Sequence, residues 1–307
     1  MSKMKRRIHR SACTALCGVF AVLLALLLLQ MESHADTAVI LSSPVPETEG
    51  AAASPQEERK EIGLDPSWRF ADYSAIHSGH AVLYRAGAGR KNKTVSVNAG
   101  HGTKGGNSVK TYCHPDKTPK VTGGSTSAGA TKATAVSSGM NFKDGTPEAK
   151  VTLRMAKLLK ERLLAAGYDV LMIREEEDVQ LDNIARTVIS NNCADIHIAL
   201  HWDGDGLKYD KGIYYMSVPD RLKSMEPVAS CWQQHEALGD ALIEGLRSQG
   251  LKIWNTNPLD ADLTQTSFST IPSVDIELGN QCSDHSDSTL SALADGLLKG
   301  VERYFAL

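Results

Sequence analysis

The feature that most constrains the fold is a regular alternation of strand-like and helix-like stretches from Thr94 to the C-terminus. Short apolar runs have the length of buried strands, and the stretches between them carry apolar residues at helical spacing. Strands are predicted over residues 94–98, 168–173, 195–200, 212–218 and 271–278, and helices over residues 147–166, 181–188, 228–249 and 290–305. This alternation predicts an α/β fold of three layers, in which helices cover both faces of a mostly parallel or mixed sheet. We expect a single catalytic domain over residues 94–307.

The N-terminus has the three parts of a secretory signal peptide over residues 1–35. Five basic residues are followed by an uncharged stretch at 15–29, and Ser33-His34-Ala35 supplies small residues at the −3 and −1 positions of a cleavage site. The alternative is an uncleaved membrane anchor, which needs about 20 apolar residues. We therefore predict an exported, extracytoplasmic protein that touches a membrane only if this segment is not cleaved.

Two further segments precede the domain. Residues 36–63 are rich in Ala, Ser, Pro and Glu and are predicted to be a solvated linker. Residues 64–93 include Trp68, Phe70 and Tyr73, which are too apolar for a linker. We expect this N-terminal extension to pack on the domain, with residues 81–84 as an edge strand.

Charge and cysteine content exclude some classes of function. Beyond residue 35 the chain carries 28 basic and 35 acidic residues, which argues against nucleic acid as a partner. None of the six cysteines forms a CxxC pair, so a structural zinc knuckle is not expected, and we favour buried thiols over disulfides.

Two histidines follow predicted strands. His101 comes after the strand and turn VSVNAGHG at residues 95–102, and His201 follows the apolar run at 195–200. The ends of neighbouring strands lie along one edge of such a sheet, so both imidazoles can converge there. A catalytic zinc commonly takes two histidines and one carboxylate, and Glu148 in the first turn of the next helix is the candidate carboxylate. Glu277, near the end of the last strand, is a candidate general base.

These motifs, in this order, resemble those of the zinc-dependent N-acetylmuramoyl-L-alanine amidases of the bacterial cell wall (amidase type 3). VSVNAGHG stands in the place of the family's LDPGHGG-like turn, and Glu148 opens the next helix as the family's glutamate ligand does. The run from Arg174 to ALHWD at residues 199–203 is similar to the family's TR…D…L…R…AN…AD…SIHAN, and IPSVDIELG at residues 271–279 is similar to PAvLvElG.

The resemblance implies one Zn²⁺ per chain, held by His101, Glu148 and His201, with Glu277 as the catalytic carboxylate. It implies hydrolysis of the amide between the lactyl group of N-acetylmuramic acid and L-alanine in peptidoglycan. A regulatory wall protein as partner is left open. The residues that we assign to the surroundings of the metal or to substrate are Asn98, Arg174, Arg186, Trp202, Asp203 and Asp275.

Some positions depart from the family pattern. Asn98 and Ala99 replace Asp and Pro before the first ligand, Trp202 and Asp203 replace Ala and Asn after the last, and Asp275 replaces an apolar residue. Residues 103–145 form an unusually long inserted loop, which either shapes the substrate groove or has no role. A zinc peptidase acting within the stem peptide and a catalytically silent wall-binding homologue are the alternative functions.

Overall fold

The computed structural model describes residues 59–87 and 89–306. The expected signal peptide at residues 1–35, and the linker up to residue 58, lie outside the described residues. Within the described ranges, no helix combines the length and the apolar character needed to cross a bilayer.

The core of the domain is a mixed sheet of eight strands in the order β1-β2-β6-β3-β7-β10-β8-β9. Its four central strands, β6, β3, β7 and β10, are parallel, while β1, β2 and β8 each run antiparallel to a neighbour. The strands are β1 (Arg59–Ile62), β2 (Ala81–Tyr84), β3 (Thr94–Ala99), β6 (Asp169–Met172), β7 (Ile196–Asp203), β8 (Tyr214–Ser217), β9 (Leu259–Asp260) and β10 (Ser273–Asn280).

Helices cover both faces of this sheet, which confirms the predicted three-layer α/β fold. The long helices α1 (Glu148–Ala165), α3 (Val228–Arg247) and α5 (Asp287–Phe305) bury one face in the largest apolar cluster of the described residues. The other face is covered by α2 (Asn183–Cys193) and the short α4 (Thr264–Phe268).

The alternation of side chains along β3, β7 and β10 makes one face of these strands apolar and the other largely polar. Val95 and Val97 of β3 contact the three-helix layer, whereas Ser96 and Asn98 point to the opposite face. In β10, Val274, Ile276 and Leu278 likewise lie in the apolar cluster. The polar face, next to α2, therefore carries the candidate catalytic residues of β7 and β10.

The N-terminal extension packs on this polar side. Trp68 and Phe70 contact the apolar surface of α2 and α4. The Asp182 carboxylate caps α2 by accepting from the Ala185 amide at 2.8 Å, and it also accepts from the Ala75 and Ile76 amides at 2.6 and 2.9 Å. One buried carboxylate thus fixes both the helix start and the extension.

The expected boundaries at the start of the sheet need correction. β2 is not an edge strand, because β1 pairs with it antiparallel along its whole length. The linker predicted to reach residue 63 therefore ends earlier than expected, since Arg59–Ile62 belongs to the sheet. Three of the four residues of RKEI are charged, so the sequence lacks the alternation of apolar residues that indicates a strand.

Three other boundaries shift. Helix α1 begins at Glu148 with Pro147 as its extended N-cap, rather than at Pro147 with Thr146 as cap, because the Thr146 carbonyl accepts from Phe142 in a preceding turn. β7 and β10 continue past His201 and Glu277, because these residues pair with each other and Asp203 pairs with Asn280. His201 therefore lies within a strand and does not follow one.

Residues 103–145 contain a small second sheet of β4 (Lys110–Tyr112) and β5 (Lys132–Thr134), paired antiparallel. A buried ion pair attaches the loop to the segment before α4: Lys120 Nζ lies 2.7 Å from Asp262, whose carboxylate also accepts from the Val121 and Thr122 amides. The insertion is therefore held against the domain.

The contact between α3 and α5 generates a stability prediction. Replacing a helical glycine with alanine ordinarily stabilises a protein by about 1 kcal/mol. A Cβ at Gly245 would lie 2.3 Å from the Gly296 carbonyl oxygen and 2.4 Å from the Gly300 amide nitrogen. We expect Gly245→Ala to lower the free energy of unfolding in urea by about 2 kcal/mol.

Gly87→Ala is the control for this variant, because no atom lies within 4 Å of the added Cβ and the free energy of unfolding should not fall. An unchanged or higher stability of Gly245→Ala would contradict the close packing of the two helices.

Candidate metal centre

The first candidate ligand lies on a tight turn after β3. His101 adopts a left-handed backbone conformation with φ of 64°, which is uncommon for a residue with a side chain. Its Nδ1 lies 2.9 Å from the Ser137 carbonyl oxygen, to which it donates, so Nε2 carries the free lone pair. Gly100 is required because a Cβ there would lie 2.2 Å from Cε1 of His201.

The structure brings the three predicted ligands together. His101 Nε2 lies 2.9 Å from Glu148 Oε1 and 3.0 Å from His201 Nδ1, and the latter lies 3.1 Å from Glu148 Oε1. Among the described residues, these three side chains form the one group of His, Cys, Asp or Glu that could hold a metal ion. The sides of the triangle are close to the separation of about 3.3 Å between tetrahedral ligands with 2.0–2.1 Å bonds.

The surroundings of Glu148 hold its carboxylate in place. Oε1 accepts from the Trp202 amide at 3.0 Å and Oε2 accepts from the Met140 amide at 2.9 Å. Burial of this carboxyl works to raise its pKa, but the adjacent imidazoles of His101 and His201 outweigh burial and hold the pKa well below its ordinary value. Glu148 is therefore ionised and oriented, as a metal ligand must be.

Two further carboxyl groups face His201 from β10. Asp275 Oδ2 lies 3.7 Å from His201 Nε2, and Glu277 is the cross-strand neighbour of His201. Burial lowers the pKa of His201, yet the carboxylates of Asp275 and Glu148 raise it to about 10. The site thus attracts positive charge, either as a proton on His201 or as a metal cation.

The buried Glu277 has the properties of a general acid–base. Burial, and after it the nearby Asp275 carboxylate, raises the pKa of Glu277 well above its ordinary value. Asp275 Oδ1 and Glu277 Oε2 are buried and have no hydrogen-bond partner among the described residues. Unpaired buried oxygens are costly, and a metal, water or substrate at this place would satisfy them.

Two buried arginines hold the His101 turn from beneath. Arg186 donates five hydrogen bonds, among them one of 2.7 Å to the His101 carbonyl and one of 3.1 Å to the Ala99 carbonyl. Arg174 also donates five, which join Gly100 of the turn to Ala149 of α1 at 3.0 and 2.8 Å. Burial lowers the pKa of Arg174 to about 10 and that of Arg186 to about 9, so both stay charged at neutral pH.

The family resemblance predicts an aspartate at the position of Asn98. The two polar neighbours of Asn98 explain why an amide is suited to this position. Oδ1 accepts from Arg186 at 3.1 Å, and Nδ2 lies 3.2 Å from Nε2 of His197. Burial lowers the pKa of His197 to about 3, so this imidazole is neutral and can accept the amide proton. The amide therefore supplies the acceptor and the donor that these two neighbours need.

The side chains of Trp202 and Asp203 do not contact the three ligands. The Trp202 indole is buried in the apolar cluster on the opposite face and packs edge-on against Phe142, because its neighbour His201 takes the polar face. Trp202 meets the site only through its backbone amide. The Asp203 carboxylate is held by Lys211 and by the Tyr214 hydroxyl, each at 2.5 Å.

A cavity of about 200 Å³ opens above the ligands. It is lined by Asn98, Gly100, His101, Ser125, Val136, Ser137, Asn183, Arg186, His201, Leu263, Gln265, Asp275 and Glu277. Its lining includes residues of the inserted loop, so this loop shapes the site.

The sequence did not identify some residues of the site. The backbone groups of Ser137 and Met140 orient two ligands, and a Cβ at Gly139 would lie 2.7 Å from both Glu148 and His101. Backbone groups leave no residue-type signal, and Gly139 is one of many glycines in the loop. Gln265, which also lines the cavity, was missed for the same lack of a pattern.

The comparison with protein families decides the family. The family described as N-acetylmuramoyl-L-alanine amidase (amidase type 3) matches residues 95–295, which include all four residues of the centre. The chain belongs to the N-acetylmuramoyl-L-alanine amidase family. It is an enzyme of the amidase class whose substrate is peptidoglycan, and action outside the cytoplasm follows from that substrate.

Solved structures agree with this amidase fold. The amidase Ami1 from Mycobacterium smegmatis aligns at 16% identity and a TM-score of 0.59, over 70% of this chain and 97% of its own. The apo form of Ami1 from Mycobacterium abscessus aligns at 20% identity and a TM-score of 0.54, over 70% of this chain and 99% of its own. The amidase AmiC2 of Nostoc punctiforme aligns at 16% identity and a TM-score of 0.52, over 71% of this chain and 100% of its own. No curated protein matches the chain.

The arginine contacts in this amidase generate a prediction. Lysine at position 186 keeps the charge but cannot reproduce the planar fork that binds the His101 turn. We expect Arg186→Lys to lower the free energy of unfolding by about 3 kcal/mol, since hydrogen bonds of charged groups contribute about 1.5–3 kcal/mol each. It should also weaken metal binding measured by calorimetry.

Arg154→Lys is the matched control, because Arg154 pairs with the exposed Asp287 at the surface. This variant should change stability by less than about 1 kcal/mol. Equal effects of the two substitutions would show that Arg186 does not hold the turn.

Proposed function

We propose that the chain is a zinc amidase that hydrolyses the amide between the lactyl group of N-acetylmuramic acid and L-alanine. The proposal rests mainly on the geometry of His101, Glu148 and His201, whose ligand atoms lie within 4.8 Å of one another beside the buried Glu277. Two nitrogens and one carboxylate oxygen form a donor set that zinc accepts, and three protein ligands are the number that a catalytic zinc takes. We infer one Zn²⁺ per chain.

Bound zinc would lower the pKa of a water molecule towards about 7 and polarise a carbonyl oxygen. His101 and Glu148 are oriented for ligation by Ser137 and by the amides of Trp202 and Met140. The Asp275 carboxylate lies on the Nε2 side of the His201 ring. It thereby favours the tautomer in which Nε2 carries the proton and Nδ1 has a free lone pair for the metal.

Glu277 performs the proton transfers in this proposal. Its carboxylate accepts a proton from the attacking water as the new C–O bond forms at the scissile carbonyl. It then gives that proton to the departing amine of L-alanine as the C–N bond breaks. The raised pKa of Glu277 favours the second of these transfers, because the protonated carboxyl is the form that donates to the departing amine.

We also propose that residues 1–35 direct export of the enzyme, since peptidoglycan lies outside the cytoplasm. Digestion of purified peptidoglycan followed by mass spectrometry tests the bond that is cleaved. New free L-alanine amino termini are expected. Peptides that remain attached to muramic acid but are shortened would identify a peptidase, and an unaltered digest would identify a silent wall-binding protein.

The role of Glu277 leads to a prediction about activity. Glu277→Ala should lower kcat by at least about 100-fold, because general acid–base groups contribute about 10²–10⁴ to a rate. Zinc content, measured by atomic absorption, should remain one per chain. Glu277→Gln is the isosteric control and should be equally inactive, and turnover at the wild-type rate in either variant would rule out this base.

The position of Asp275 leads to a separate prediction about metal affinity. Removing its charge in Asp275→Asn should weaken zinc binding by about 10–100-fold in competition with a chromogenic chelator, as is typical of partners behind metal-bound histidines. Asp287→Asn, at an exposed carboxylate, is the control. An unchanged zinc affinity in Asp275→Asn would remove Asp275 from the metal's surroundings.

A further inference from the structure

A second groove lies between the inserted loop and the N-terminal extension. It measures about 320 Å³ and is lined by Asp72, Tyr73, Ser74, Ala75, Lys110, Thr111, Tyr112, Lys117 and Lys132. Three exposed lysines and two tyrosines thus meet one exposed aspartate, so the groove carries net positive charge. The catalytic mechanism uses none of these residues.

The charge of the inserted loop is opposite to that of the rest of the chain. Residues 103–145 contain six lysines, two aspartates and no glutamate, whereas the chain beyond residue 35 is acidic. The Lys120 side chain is buried in its ion pair with Asp262. Within the part of the chain that the structure describes, Lys110, Lys117 and Lys132 have no carboxylate partner within 4.0 Å.

The lysines of the groove are held by aromatic rings. The Lys117 ammonium lies 5.1 Å from the ring centre of Tyr112 and 5.9 Å from that of Tyr73, and Lys132 lies 4.7 Å from Tyr112. Lys110 donates to the Thr134 hydroxyl at 2.7 Å. Ammonium groups placed on rings in this way lose less conformational entropy when they bind an anion than free surface lysines do.

Two segments of the chain connect the lining of the groove to the lining of the catalytic cavity. On one side β5, which carries Lys132, runs directly into Val136 and Ser137, which line the cavity. On the other side Ser74 donates to Asp182 at 3.0 Å, and the adjacent Asn183 lines the cavity. Ser137 follows Lys132 by five residues, so their Cα atoms are at most about 17 Å apart.

We infer that this groove, defined by Lys110, Lys117, Lys132, Tyr73 and Tyr112, binds the free carboxylates of the peptidoglycan stem peptide while its first amide bond lies at the metal centre. The inference rests on the proposed amidase function and adds a subsite to it. An extended peptide of four or five residues reaches about 13–17 Å, which is comparable to the greatest separation that the chain between Ser137 and Lys132 allows. Its negative charge matches the three lysines.

The test compares two triple variants of the full chain on a soluble muropeptide with free carboxylates. Lys110, Lys117 and Lys132 are replaced with Gln in one variant. In the control variant, Lys157, Lys299 and Arg303, exposed cations of α1 and α5, are replaced with Gln. We expect KM to rise about tenfold in the groove variant with kcat within twofold of wild type, and neither constant to change in the control.

Amidation of the muropeptide carboxylates provides the second arm. The amidated substrate should have a raised KM with the wild-type enzyme, and the groove variant should show no further increase. Calorimetric binding of the same muropeptide does not depend on turnover, so it tests the groove even if the wild-type chain cleaves another bond. There we expect a tenfold higher Kd for the groove variant.

Two results would overturn the inference. One is an unchanged KM and Kd of the groove variant for the muropeptide. The other is a loss of affinity confined to intact walls that carry phosphate-rich polymers, which would assign the lysines to a different polyanion. Failure of the wild-type chain to release L-alanine amino termini would count against the amidase proposal alone, because the calorimetric comparison would still stand.

Discussion

The site depends on two buried guanidinium groups that bind backbone carbonyls instead of carboxylates. Burying a charge costs several kcal/mol, which is a large part of the total stability of a protein domain. Arg174 and Arg186 offset this cost with five hydrogen bonds each, most of them to the turn that presents His101 and to the start of α1. The unusual backbone of His101 is thereby held in position.

The parallel register of the central strands supplies the remaining groups. β7 pairs with both β3 and β10, which places His201 beside Glu277 on the polar face, close to the turn after β3. Val274 and Ile276 bury the opposite face of the same strand. The strand alternation that builds the apolar core therefore also exposes the carboxylates to the cavity, so that stability and chemistry use opposite faces of one sheet.

The sequence predicted those parts of the site that depend on residue type in a short local context. His101 after a strand and a glycine turn, Glu148 at a helix start, and His201 on an apolar strand are of this kind, and the structure brings their side chains together. Trp202 was grouped with the site, yet its indole lies on the far face. The period of two along β7 already implies this once His201 is assigned to the polar face.

Other parts could not be predicted because they depend on distant backbone groups. Ser137 orients His101 across 36 residues of a loop that shows no periodicity, and a backbone carbonyl has no sequence signature. The strand Arg59–Ile62 was not predicted because three of its four residues are charged, so it lacks the apolar alternation that indicates a strand. The metal-ligand residues were thus predictable from their local sequence, whereas the contacts of the inserted loop became known only from the structure.

The proposed function requires His101, Glu148 and His201 to hold one zinc ion. Anomalous diffraction at the zinc absorption edge, from crystals of the full chain grown with zinc, tests it directly. We expect a single peak about 2.0–2.2 Å from His101 Nε2, Glu148 Oε1 and His201 Nδ1. A peak bound by other residues, or none at this place with zinc in excess, would contradict it.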